Sequence, residues 1–134
     1  MAKKFNISLK ESLKEFQFFG INTILKDYQL CFLINDFFDI ETHLLNTDAI
    51  NNELSVFGDI IDDLKVLLIQ NNTNIFPKLS TFEYLIVVNN SNTEFASIVK
   101  TFESNDEILY ISKIEPKYIN TKEESLILQL LNIL

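Results

Sequence analysis

A chain of 134 residues with 47% apolar and 22% charged side chains has the make-up of one folded domain, and intrinsic disorder is excluded. The formal charge is −8 and all eleven basic residues are Lys, so the chain lacks the Arg forks that usually grip phosphates and base edges. An acidic, Arg-free surface repels a polyanion at long range, which argues against a nucleic-acid partner.

One cysteine, Cys31, excludes an internal disulfide and a thiolate metal cluster. Two glycines and two prolines leave no room for a glycine-rich phosphate loop or a dinucleotide fingerprint. The start, Met1 to Asn6, is basic but has no apolar run behind it, so no secretory signal is expected. The apolar runs, such as Leu85 to Val88, are too short to span a bilayer. The expected compartment is the cytoplasm, with no membrane partner and no cofactor or metal.

In chain order, Phe5, Ile7 and Leu9 alternate with polar residues and predict a half-buried strand. Residues 16–21 predict an extended segment. A helix is predicted over 27–38, opening on Asp27, with a broad core-facing stripe of Leu30, Ile34 and Phe37 flanked by Cys31, Leu33 and Phe38. Residues 54–58 and 64–70 predict two strands joined by a turn over 59–63, and Asn71 to Asn74 mark a loop. Residues 82–88 are apolar on both faces, as a central strand requires. Ser91 or Asn92 is the expected cap of a further helix carrying Phe95, Ile98, Val99 and Phe102 at i, i+3, i+4, i+7. A strand follows over 108–114. Thr121 and Glu124 suggest a capping box before a short C-terminal helix carrying Ile127, Leu130, Leu131 and Leu134. The sum is a single α+β domain over 1–134: a two-layer sandwich with an antiparallel or mixed sheet of about five strands and two or three helices mainly on one face.

Two stretches carry a resemblance. Phe19-Gly20-Ile21 with Leu25 to Phe32 is similar to the opening of a small bacterial family named for the motif IPExxxVDY. The segment Phe76-Pro77-Lys78-Leu79-Ser80-Thr81-Phe82-Glu83-Tyr84 resembles the motif itself. Pro77 and Tyr84 match by identity; Phe76, Phe82 and Glu83 are conservative replacements, and Lys78 reverses the charge of the motif's Glu. The resemblance implies a small bacterial protein and brings no activity, cofactor or catalytic residue with it. Physically, Pro77 rigidifies the chain before a strand and Tyr84 packs within it.

Candidate chemistry is sparse. His43, the one histidine, has no Ser, Cys or Asp beside it in a triad context. Cys31 lies on the apolar side of its helix and reads as a small hydrophobe. Asp59, Asp62 and Asp63, with Glu53 upstream, cluster at the expected turn without the glycine-punctuated spacing of a calcium loop. Asp36, Asp39 and Glu41 gather where the first helix ends, in opposition to its dipole.

The most informative pair is Tyr28 and Phe32. At 100° per residue they share a side of the helix with Asn35, Asp36 and Asp39, away from the Leu30/Ile34/Phe37 stripe. Either they form a contact surface, or that side is buried under the C-terminal segment or the 71–81 loop. The C-terminal Leu130 to Leu134 poses the same alternative of docking on the body or meeting another chain. The expected function is a non-catalytic protein-interaction or regulatory module that binds another protein through Tyr28, Phe32, Asp36 and Asp39. The alternatives are an enzyme with a carboxylate-based site and a structural homodimer.

Overall fold

A computed structural model describes residues 16–51, 53–71, 75–89 and 95–134. The strand expected over 5–9, the loop residues 72–74 and the cap expected at Ser91 or Asn92 lie outside the described residues.

In chain order the elements are β1 (Phe16–Thr23), α1 (Asp27–Phe38), β2 (His43–Leu44), β3 (Val56–Ile61), β4 (Leu64–Gln70), β5 (Tyr84–Asn89), α2 (Phe95–Glu103), β6 (Ile108–Lys113) and α3 (Thr121–Asn132). The strands form one sheet in the order β2-β3-β4-β5-β1-β6, and every described pairing is antiparallel.

Side chains alternate across a strand, so a strand covered on both faces is apolar throughout. Val66 and Leu68 of β4, Ile86 and Val88 of β5, and Phe19 and Ile21 of β1 face one core with Leu30 and Ile34 of α1 and Ile98 and Phe102 of α2. Leu67 and Ile69, Leu85 and Val87, and Phe18 face the other core with Ile127, Leu130 and Leu131 of α3. Two helices thus share one face, in keeping with an α+β sheet whose helices lie mainly on one side. α3 and the 76–82 segment add the cover that the second apolar face of β4 and β5 demands.

The helix expected over 27–38 is α1, and it ends at Asp39, whose left-handed backbone (φ 57°) lets its N–H reach the Asn35 carbonyl. Aspartate tolerates that conformation better than most residues. Phe37 packs edge-on against Phe38 and against Phe102, tying α1 to α2.

The turn between β3 and β4 is tighter than the 59–63 segment suggests. β3 continues through the β-branched Ile60 and Ile61, leaving Asp62 and Asp63 as a two-residue loop with Asp62 at φ 54°. The cap of α3 also sits one residue earlier than Thr121. The Asn120 side chain accepts from the Glu123 N–H at 2.8 Å, and Glu123 accepts from the Asn120 N–H at 2.9 Å. Asn makes the better cap because its short amide reaches the third amide of the helix.

The C-terminal segment docks on the body of the same chain. Leu130 and Leu131 are buried, and Leu134 lies over Gly58, where an added Cβ would meet its Cδ2 at 2.7 Å and the Val66 carbonyl oxygen at 2.9 Å.

Candidate interaction surface

α1 spans the sheet from the end of β1 toward β2 and β3. Its inner positions are buried, and the residues it leaves exposed are Tyr28, Phe32, Asp36 and, at the cap, Asp39. Tyr28 is 54% and Phe32 70% exposed, so neither the C-terminal segment nor the 75–82 segment covers them. Ile24, four residues before Tyr28 in the chain, is 67% exposed as well. It lies outside the helix, held by its N–H donating to the Glu107 carbonyl at 3.2 Å, so helical periodicity alone does not reveal it.

The end of α1 is acidic. Asp39, Glu41 and Asp59 line a recess of about 480 Å³ with Ile40, His43 and Ile61. Asp59 was expected in a turn; it sits within β3 instead, and its carboxylate accepts from the Glu41 N–H (2.9 Å) and the Ile60 N–H (2.8 Å). Oδ2 therefore holds the α1–β2 connection, while Oδ1 is engaged within β3 itself. Among the described residues, no group of three or more His, Cys, Asp or Glu converges closely enough to hold a metal ion. His43 is exposed on the two-residue edge strand β2.

Asn35 organises the turn out of α1. Its Oδ1 accepts from both the backbone N–H (2.9 Å) and the hydroxyl (2.7 Å) of Thr42. Cys31 is buried beneath this turn. Burial pushes its thiol above the ordinary value, the Asp27 carboxylate adds to the rise, and a hydrogen bond with Thr42 opposes it. A thiol held protonated is a poor nucleophile. Burial also raises the Tyr84 phenol, with smaller contributions from Asp27, Glu83 and Cys31.

The motif-like segment forms a structural unit away from this surface. Phe76 is buried, Pro77 opens a 3-10 turn over Pro77–Leu79, and Lys78 is exposed. Pro77 thus shapes a turn well before β5, which begins only at Tyr84. Phe82 packs on Gly20 and stacks on Tyr110 with ring centroids 6.0 Å apart. Glu83 accepts from the Thr23 N–H at 3.0 Å and donates its own N–H to Asn22 Oδ1 at 2.8 Å. Tyr84 is buried in the α1 core.

A second recess, of about 890 Å³, opens beside the start of α3 between Ile50, Ile75, Pro77 and Leu126. Glu123 borders it, but its Oε1 is engaged in the cap of α3 and its Oε2 is shielded from solvent. No helix among the described residues is long and apolar enough to cross a membrane.

No family model, curated protein or solved structure matches the chain. The assignment of function therefore rests on the geometry of the surface.

Proposed function

We propose that this chain is a non-catalytic protein-interaction or regulatory module of the cytoplasm, and that it binds another protein through the outer face of α1. The observation that carries the reading is the exposed pair Tyr28 and Phe32 on α1, followed along the helix by the exposed Asp36 and Asp39, with exposed Ile24 just before the helix. Large apolar side chains exposed together and bordered by polar groups are the composition of a contact surface: aromatic anchors supply area at low entropic cost, and the polar border orients the partner. The acidic, Arg-free composition speaks against a nucleic-acid partner. We also take the resemblance to the IPExxxVDY family as kinship. Its support is that Phe82 and Glu83 of the motif-like segment meet β1 at Gly20, Asn22 and Thr23, while Phe76 and Tyr84 are buried in the two cores.

The test is quantitative affinity purification of the tagged chain and of its Tyr28→Ser/Phe32→Ser variant from the native cell. A partner retained by the wild type and depleted at least about tenfold with the variant is the expected result. Identical partner sets would remove the basis of the reading.

A carboxylate-based enzyme is the second reading, favoured by the recess that gathers Asp39, Glu41, Asp59 and His43. Against it, both Asp59 oxygens are already engaged by backbone donors, and among the described residues no three or more His, Cys, Asp or Glu converge closely enough to hold a metal ion.

A further inference from the structure

We infer that the partner of this surface is a basic amphipathic polypeptide segment, whose apolar side chains cover Ile24, Tyr28 and Phe32 and whose Lys or Arg residues meet the acidic end of α1. The inference rests on the contact reading above and adds the chemistry and polarity of the occupant.

Its first ground is an electrostatic arrangement that the fold itself does not compensate. Asp36, Asp39 and Glu41 stand where α1 ends, at the pole that carries partial negative charge, and the last turn of the helix contains no basic residue. No ion pair engages these three carboxylates among the described residues. Such acids cost the isolated chain a little stability, and a bound cation reverses the sign of that contribution. Asp59 extends the acidic end into the recess, where Ile40 and Ile61 offer apolar lining for the stem of a long basic side chain.

The second ground is the polarity of the surface. Apolar and acidic halves follow one another along α1. At a rise of 1.5 Å per residue, Tyr28 and Asp39 are separated by roughly 16 Å along the axis. A helical segment lying on this row therefore presents its anchors and its basic residues in two successive blocks, not interleaved. An amphipathic segment packing on the outer face of α1 would meet these blocks in order, with charge fixing the direction of binding.

A second copy of the chain fits less well, because each copy brings a formal charge of −8 to the contact. An anionic lipid surface is disfavoured for the same reason.

The test uses the full chain and three synthetic helical peptides of about sixteen residues, each with one Leu/Phe anchor block followed by an Arg, a Gln or a Glu block. Binding is read by fluorescence anisotropy at low and physiological salt. The Arg peptide is expected to bind about tenfold or more tightly than the Gln peptide, and the Glu peptide least. Asp36→Asn/Asp39→Asn/Glu41→Gln is expected to remove that advantage, and Tyr28→Ser/Phe32→Ser to abolish binding of the Arg and Gln peptides alike. Arg and Gln peptides that bind equally, but only with Tyr28 and Phe32 intact, overturn the inference and leave the contact reading standing. Arg binding that survives loss of both aromatics is mere charge attraction and overturns both. Binding of no peptide overturns the inference. A dimer in light scattering that Tyr28→Ser/Phe32→Ser dissociates assigns the surface to a second copy and overturns it too.

Discussion

Replacing Asn71 with Ala is expected to lower stability by about 3 kcal/mol, and the melting temperature by roughly 10 °C. Asn71 is buried where β4 ends. Its amide nitrogen donates to the carbonyls of Leu79 (3.1 Å) and Phe82 (3.2 Å), and its Oδ1 accepts from the Phe76 N–H (3.4 Å). Its own backbone N–H donates to the Glu83 carbonyl at 2.8 Å. One side chain thus satisfies three backbone groups of the turn that leads into β5. Alanine leaves those groups without partners in a site screened from water, which costs more than the lost bonds themselves. Asn71→Asp is expected to be no better, since a carboxylate cannot donate to the two carbonyls. Urea unfolding of both variants checks this; a loss below about 1 kcal/mol for Asn71→Ala would mean that water replaces the amide freely.

Gly20→Ala is expected to destabilise by about 2 kcal/mol although alanine is the better strand residue. Gly20 has no positive φ, so its role is space rather than torsion. A Cβ there would lie 2.3 Å from Cγ of Phe82 and within 2.5 Å of both Cδ atoms. The ring cannot stay, and its stack on Tyr110 is lost with it. The decisive comparison is a double-mutant cycle. Gly20→Ala in a Phe82→Ala background is expected to cost little, giving a coupling of about 1–2 kcal/mol. Additive effects would locate the role of Gly20 elsewhere.

Much of this fold was legible in the sequence where periodicity is strong. Leu30, Ile34 and Phe37 delimit α1, and the unbroken apolar run of 85–88 marks a strand covered on both faces. The misread places are those where long-range contacts decide. Ile60 and Ile61 belong to β3 because they pair with Lys65 and Leu64. Asp59, one of three nearby acids, is a hydrogen-bond acceptor for a connection eighteen residues away. Asn71 reads as loop punctuation, since nothing in its identity tells that three backbone groups converge on it.

The candidate surface was legible in the same uneven way. The helical wheel separates Tyr28, Phe32, Asp36 and Asp39 from the core stripe, but it leaves open whether another segment covers them. Their exposure follows from where the rest of the chain goes: α3 and Leu134 occupy the opposite face of the sheet, over Gly58. Ile24 precedes the helix, and Glu41, His43 and Asp59 are gathered by pairing of β2 with β3, so sequence spacing alone cannot assemble them.

On the proposed reading, the outer face of α1 contributes area to a partner rather than to the interior of this chain. Equilibrium urea unfolding of the Tyr28→Ser/Phe32→Ser variant measures that directly. A change within about 1 kcal/mol of the wild type, with the slope of the transition unaltered, is the predicted result. A loss of about 4 kcal/mol or more, the scale of emptying a packed aromatic site, would contradict it.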